Sequence, residues 1–327
     1  MSAAVGARDF LHLVRKGVDI GAVRAHVGKP FRFLLCGDRN LVAEFRALLL
    51  TGGDASLAEG AACLETIDAA APPSDLRDAR VVVSLTYGGL PDEAALARLC
   101  ATGLPVLAVC VNDAAAVPPP GAAPLRGSWA RYSVPELTAT ELKGAVFPHL
   151  VECARGVEIA VGRRLPALRE TVAAKLTRGA AANSLKIALA SATVESIPLL
   201  GLVLGAVTSA SDTVAITGIQ MMLLLQIEAA YGRDPDFGRL WQLLPVIGGG
   251  FGWRTLAREL VGFIPVAGIP IKGAVAYAGT VVVGEGVIFF LERGRHMTPS
   301  QAGALYERTK NEALRTAGQL FTRLRRK

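Results

Sequence analysis

The chain has 327 residues, enough for two domains of ordinary size, and its mean hydropathy of +0.40 is high for a soluble protein. The net charge of +7 is unevenly shared, because residues 1–150 carry −1 and the remainder carries +8. Any attraction to anionic lipid or nucleic acid therefore belongs to the second half. No export signal is expected at the N-terminus. The odd cysteine count, the absence of a C-x-x-C pair and the mostly apolar surroundings favour buried, reduced thiols at Cys36, Cys63, Cys100, Cys110 and Cys153.

The first 152 residues predict a helical lead-in followed by an α/β domain. Residues 1–29 have apolar residues at helical spacing and are expected to form one or two amphipathic helices. Residues 30–152 alternate apolar strands with helices, which predicts a parallel sheet covered on both faces. The predicted strands are FRFLLC, AACLETI, ARVVVSLTY, LPVLAVCV and ARYSV, and the helices are 40–50, PDEAALARLCATG and ELTATELKGAVFPHLVECA.

The turn after the first strand has the position of a phosphate-binding loop but not its residues. Such a loop requires G-x-x-x-x-G-K-[ST], in which glycines let the backbone wrap the phosphates, lysine supplies charge and the hydroxyl binds magnesium. Counting from Gly37, the chain has Val42, Ala43 and Glu44 at the last three positions. A carboxylate at Glu44 would repel a phosphate rather than bind it.

The order of these elements resembles the Era-like, translation-factor-related GTPase domain, a Ras-like fold, over residues 30–152. The resemblance implies Asp-x-x-Gly after the third strand and Asn-Lys-x-Asp after the fourth, but the chain has SLTYGG and Asn-Asp-Ala-Ala. Because the missing groups stabilise the phosphates and Mg²⁺, we predict a degenerate domain with no catalytic residue, cofactor or metal. The rival interpretation is an ordinary α/β domain that never held a nucleotide. The vestigial nucleotide loop comprises Gly37, Asp38, Arg39, Asn40, Asn112 and Asp113.

Residues 153–297 predict an all-α domain of apolar helical hairpins, in which Pro166 marks a break or a helix start. Two segments match at a constant offset of 67, and both contain Ile-Pro-x-x-Gly and a later Thr-Val pair. A duplicated unit of helix, bend and helix is one interpretation of this sparse match, and a coincidence of composition is the other. The duplication predicts bends at Pro198 and Pro265 and close helix contacts at Gly201 and Gly268.

This second half resembles the YcjF-like domain of unknown function over residues 180–293. The residues that carry the resemblance are the two proline motifs, Ile219-Gln220-Met221 and Tyr231-Gly232. The family implies an all-helical module, appended to Era-like GTPases and associated with the bacterial inner membrane. It implies no reaction.

Two apolar stretches in this half are candidates for membrane contact. Residues 196–227 contain one charge, Asp212, and residues 260–291 contain two, Lys272 and Glu285. Each stretch is long enough for one spanning helix but short for two, and basic residues flank both at each end. A re-entrant or interfacial hairpin fits these flanks, and the rival interpretation is an apolar soluble helical core.

Polar side chains inside these stretches predict contacts between helices. Ion pairs of Lys272 with Asp212 or Glu285 would hold the two hairpins in register, because an unpaired charge is costly there. Gln220 and Gln226 are expected to hydrogen-bond across helices for the same purpose.

Residues 298–327 predict a basic C-terminal helix. Thr298, Pro299 and Gln301 form a helix-start signal, and the chain ends in FTRLRRK. This helix is either a solvated terminus or a lipid-contacting one.

The leading hypothesis is a non-enzymatic adaptor or scaffold on the cytoplasmic face of the inner membrane, held by an anionic lipid surface. The alternative function is a nucleotide-dependent switch with an unorthodox GTP or ATP site. The alternative location is the cytoplasm, without membrane attachment. Nucleic-acid binding is not expected, because basic residues are not interleaved with aromatic ones. The sequence does not identify the protein partner, and it is compatible with a homo-oligomer.

Overall fold

In the computed structural model the chain divides into two units, one α/β and one helical. The α/β unit comprises Arg24–Val172 and Ala229–Arg233, and the helical unit contains the described residues of 173–228 and 269–325. The N-terminal segment before residue 18, Pro198, Pro265 and Gly268 lie outside the described residues, as do the side chains of Asp212 and Lys272. The residues that the structure describes are 18–52, 57–115, 119–195, 201–236, 238 and 269–325.

All five predicted strands are present, and all pair in parallel. The order across the sheet is β2-β1-β3-β4-β5, one of the two common orders of doubly wound α/β folds. The prediction of a parallel α/β domain is confirmed. The strands are β1 Arg32–Gly37, β2 Leu64–Thr66, β3 Ala79–Tyr87, β4 Val106–Val111 and β5 Trp129–Val134.

The strand sequences are continuous apolar runs because helices cover both faces of the sheet, so that side chains on either face are buried. All six residues of β4 are buried, and β3 is buried from Val81 to Leu85. The helices of residues 20–164 are α1 Ile20–Val27, which belongs to the α/β unit only from Arg24, α2 Arg39–Leu50, α3 Leu57–Ala62, α4 Glu93–Ala101, α5 Ala139–Ala145, α6 Phe147–Cys153 and α7 Glu158–Arg164.

The single helix predicted for ELTATELKGAVFPHLVECA is wrong, because the structure has two helices, α5 and α6, separated at Val146. Pro148 lies in the first turn of α6, where its missing N–H costs nothing, whereas inside one continuous helix it would remove a hydrogen bond. Pro166 likewise begins a short 3-10 helix, Pro166–Leu168, which confirms its predicted role as a helix start.

Four long helices lie wholly or mostly in the described part of the helical unit: α8 Arg169–Glu195, α9 Gly201–Ala230, α10 Ile269–Arg293 and α11 Pro299–Arg325. The start of α11 confirms the predicted signal. Thr298 N–H donates to Gln301 Oε1 at 3.0 Å, and Gln301 N–H donates to Thr298 Oγ1 at 3.3 Å.

Helices α8 and α10 pack closely and run antiparallel. A Cβ atom built on Gly273 would lie 3.0 Å from Leu189 Cδ2, and one built on Gly284 would lie 2.5 Å from Thr177 Cγ2. Residue numbers rise along α10 as they fall along α8, which sets the antiparallel direction. Gly273 and Gly284 thus lie at close contacts between α8 and α10. Gly201 is the first described residue of α9, and its predicted close contact stays a prediction.

Helices α9 and α10 run parallel and share a buried polar cluster with α8. Ile216 packs with Ala276, and one turn further Gln220 Nε2 donates to Thr280 Oγ1 at 3.3 Å. Thr280 Oγ1 also lies 2.9 Å from Ser184 Oγ, and all three polar side chains are buried. The prediction that Gln220 hydrogen-bonds across helices is confirmed, and the cluster fixes the register of the three helices.

Among the described residues, one helical stretch, Gly273–Arg293, is long and apolar enough to cross a bilayer. An 18-residue window within it has a mean hydropathy of 1.9, and 61% of that window is buried within the protein. Glu285, from the predicted ion pairs, lies within this stretch and is partly exposed. Length and composition alone are compatible with a membrane helix and with the core helix of a soluble protein.

Candidate functional site at the carboxyl edge of the sheet

The predicted vestigial loop residues lie along one edge of the sheet. Strands β1, β3 and β4 are neighbours, and Gly37 pairs with Leu85 while Tyr87 pairs with Val111. The turns that follow these parallel strands therefore all leave from their carboxyl ends. Ligands of open α/β sheets bind at this edge, where the strand order reverses, which here is between β1 and β3.

The turn between β1 and α2 is a single residue, Asp38. Strand β1 ends at Gly37 and α2 begins at Arg39, one residue before the predicted start. A phosphate loop needs several residues between strand and helix to wrap the phosphates, and this connection has no room for them. Val42 lies inside α2 and is buried in the core, so it is not part of any loop.

Gly37 is required by strand packing. Its φ is +110°, and a Cβ built on it would lie 2.8 Å from the carbonyl carbon of Leu85 and still closer to the oxygen. The next N–H, that of Asp38, donates to the same Leu85 oxygen at 2.8 Å. The glycine that marks the predicted phosphate loop thus serves the close approach of β1 to β3.

The first amides of α2 are already hydrogen-bonded to a carboxylate. Asp38 Oδ1 accepts from Asn40 N–H at 2.9 Å and from Leu41 N–H at 3.1 Å, which makes it the N-cap of the helix. Helix N-termini bind phosphate through these same amides. A phosphate would have to displace the Asp38 carboxylate and would be repelled by its charge.

The turn after β3 presents an exposed tyrosine. The side chain of Tyr87 is 67% exposed, and its hydroxyl accepts a 3.0 Å hydrogen bond from Asn112 Nδ2. Thr86 Oγ1 donates to the carbonyl oxygen of Gly89, and Gly88 N–H donates to Val111 O at 2.8 Å. Asn112, the one residue that matches the guanine-reading motif, thus contacts the neighbouring Tyr87.

Asp113 joins the ends of β4 and β5. Its Oδ2 accepts from Ser133 Oγ at 2.6 Å and from both Nε and Nη2 of Arg131, and its Oδ1 accepts from Ala115 N–H. The side chain is only 2% exposed. The hydrogen bonds from Ser133 and Arg131 lower the pKa of Asp113 to about 2. Because every Asp113 oxygen is occupied, this carboxylate stabilises the fold and is not available to read a base.

Arg131 and Ser133 were not among the residues predicted to matter. The sequence shows only that these two polar residues are two positions apart, which puts both side chains on the same face of β5. That spacing becomes informative only when β5 is known to pair with β4, so that Ser133 lies beside Cys110 near the end of that strand.

No group of three or more His, Cys, Asp or Glu side chains that could hold a metal ion occurs in the part of the chain that the structure describes. All five cysteines are free thiols. Cys36, Cys63 and Cys110 are buried as predicted, whereas Cys100 and Cys153 are only partly buried. Burial raises the pKa of the Cys36 thiol to about 11. Such thiols are inert toward metals and oxidants at neutral pH.

Comparison of the chain with models of known protein families, with curated proteins and with solved structures found no match.

Proposed function

We propose that this protein is a non-enzymatic, membrane-associated adaptor or scaffold, with a degenerate, Ras-like GTPase domain that serves as a protein-binding surface. The observation that carries the proposal is the one-residue turn between β1 and α2, closed by the Asp38 cap. It supports a domain that keeps the sheet and has no loop for phosphates. Tyr87 and Leu90, both exposed at the same edge, supply apolar area for a protein partner.

We expect Mg²⁺-GTP and Mg²⁺-ATP to bind no tighter than the millimolar range, about −4 kcal/mol. The α2 amides are capped, and no lysine or hydroxyl follows Gly37 at the required spacing. Isothermal titration calorimetry of the full chain with each nucleotide measures this directly.

The matched variant for that titration is Asn112→Ala, because Asn112 is exposed and its loss should spare the core. Micromolar GTP affinity that falls in this variant would reject the adaptor hypothesis and establish the nucleotide-dependent switch. A Gly37 variant is unsuitable here because it would disturb the sheet itself.

We further propose that the protein acts at the cytoplasmic face of the cell membrane. Basic residues at both ends of the two apolar stretches, the +8 charge of the second half and the apolar stretch Gly273–Arg293 support this location. The burial of most of this apolar stretch within the protein favours a second candidate, a cytoplasmic scaffold in which the same helix is part of the core.

Cell fractionation distinguishes the two candidates. We expect the untagged protein in the membrane fraction at low salt, because each Lys or Arg near an anionic surface contributes roughly 1 kcal/mol. Release by high salt would indicate surface binding, since salt screens charges and leaves apolar burial intact. Release only by detergent would indicate insertion, and a soluble protein at low salt would reject the membrane location.

A further inference from the structure

The turn between α10 and α11 places two arginines on one aromatic ring. Arg293 Cζ lies 5.0 Å and Arg295 Cζ 5.3 Å from the centroid of the Phe289 ring. Both arginines are exposed, whereas Phe289 is partly buried. Cation–π contacts of this kind restrict where the guanidinium groups can go.

The backbone of the turn holds this arrangement. Gly294 separates the two arginines with a φ of +64°, and its N–H donates to Phe290 O at 2.9 Å, which ends α10. On the other side, the Phe290 ring stacks on His296 with centroids 4.9 Å apart. The Phe289 ring and the turn at Gly294 therefore hold the two arginine side chains close together before any ligand arrives.

The charge of the turn is unbalanced. Residues 289–298 contain Arg293, Arg295 and His296 but only one acid, Glu292. Two guanidinium groups over one ring repel each other. An anion bound between them would be attracted to both and would offset this repulsion. A planar guanidinium group can donate two parallel hydrogen bonds to two oxygens of one phosphate. This geometry favours a phosphate over a monatomic anion.

We propose that Arg293 and Arg295 bind the phosphate of an anionic lipid headgroup, with the half-buried rings of Phe289 and Phe290 at the level of the membrane interface. This inference rests on the proposed membrane function and names its contact site. The site lies at the end of the apolar stretch Gly273–Arg293, where arginine and aromatic side chains favour the headgroup region.

The test is cosedimentation of the full chain with vesicles of phosphatidylcholine, alone or mixed with phosphatidic acid or phosphatidylglycerol. The double variant Arg293→Gln/Arg295→Gln should lose roughly thirtyfold in affinity for anionic vesicles, from the loss of two lipid-facing charges. The matched control Arg308→Gln/Arg315→Gln removes the same charge from exposed positions along α11 and should lose less than about threefold.

A second variant tests the ring rather than the charge. Phe289→Leu keeps an apolar side chain but releases both arginines, so affinity should fall by about two- to fivefold at unchanged net charge. Circular dichroism of each variant establishes that the helices remain folded.

The outcomes distinguish a failure of the proposed lipid-binding site from a failure of the proposed membrane function. Equal losses in the two double variants would overturn the site, because binding would then depend on total charge only. Vesicle binding unaffected by all variants would overturn the site and leave the membrane function standing. If the wild-type chain binds no vesicle, the lipid assignment and the membrane function both fail, and titration with glycerol phosphate then shows whether the arginines bind a free phosphate ester instead.

Discussion

Replacing Gly37 with alanine is expected to destabilise the α/β unit by about 3 kcal/mol or more. The φ of +110° is unfavourable for any residue with a Cβ, and the added atom would press on the backbone of Leu85. Backbone cannot rotate away as a side chain can, so β1 and β3 would have to separate. Their pairing forms the centre of the sheet, and the loss should extend to the whole unit.

The control is Gly88→Ala, at the same edge of the sheet. Gly88 also has a positive φ, +77°, but a Cβ there meets nothing within 4 Å, so only the conformational cost of about 1 kcal/mol applies. Urea denaturation gives the two free energies of unfolding, and hydrogen exchange of peptides from β1 and β3 localises the change. Equal costs for the two variants would contradict the close-approach explanation of Gly37.

This pair of variants also bears on the nucleotide question. A glycine after the first strand of an α/β domain is a sequence signature of phosphate binding. In this protein the β1–β3 contact accounts for the glycine by itself, and the same substitution would impair the fold whether or not a nucleotide binds.

Alanine substitutions at two glycines of α10 are expected to change stability in opposite directions. At Gly284 the added Cβ would lie 2.5 Å from Thr177 Cγ2 and 2.9 Å from its Cβ, so Gly284→Ala should destabilise the helical unit by about 2 kcal/mol through overpacking. At Gly286 nothing lies within 4 Å, and Gly286→Ala should stabilise by about 0.5–1 kcal/mol because alanine favours helix.

A substitution at Thr177 is expected to restore part of the stability lost in Gly284→Ala. The Thr177 hydroxyl is buried and has no hydrogen-bond partner, so Thr177→Ala alone should be nearly neutral. Combined with Gly284→Ala it should recover about 1 kcal/mol or more, because it removes two of the three crowded atoms. Thermal unfolding of the four proteins gives this double-mutant cycle. Additive effects, or a stabilising Gly284→Ala, would show that α8 and α10 are not held at this distance.

The local features of this protein follow from its sequence because they depend on neighbours in the chain. Buried parallel strands need apolar runs, and all five strands were found at the predicted places. The helix start at Thr298 needs only a hydroxyl and a glutamine three residues later. An amide in an otherwise apolar helix predicts a polar partner, which Gln220 has in Thr280.

The roles of the candidate site residues depend on contacts that are distant in the sequence, and only the tertiary structure decided them. Gly37 is a packing glycine because Leu85, 48 positions away, lies against it. Asp113 is a structural anchor because β4 and β5 pair side by side, which brings Arg131 and Ser133 to its carboxylate. A residue type limits the chemistry that is available. The neighbours assembled by the fold determine whether a glycine serves a ligand or a strand, and whether a carboxylate is free to bind or already bound.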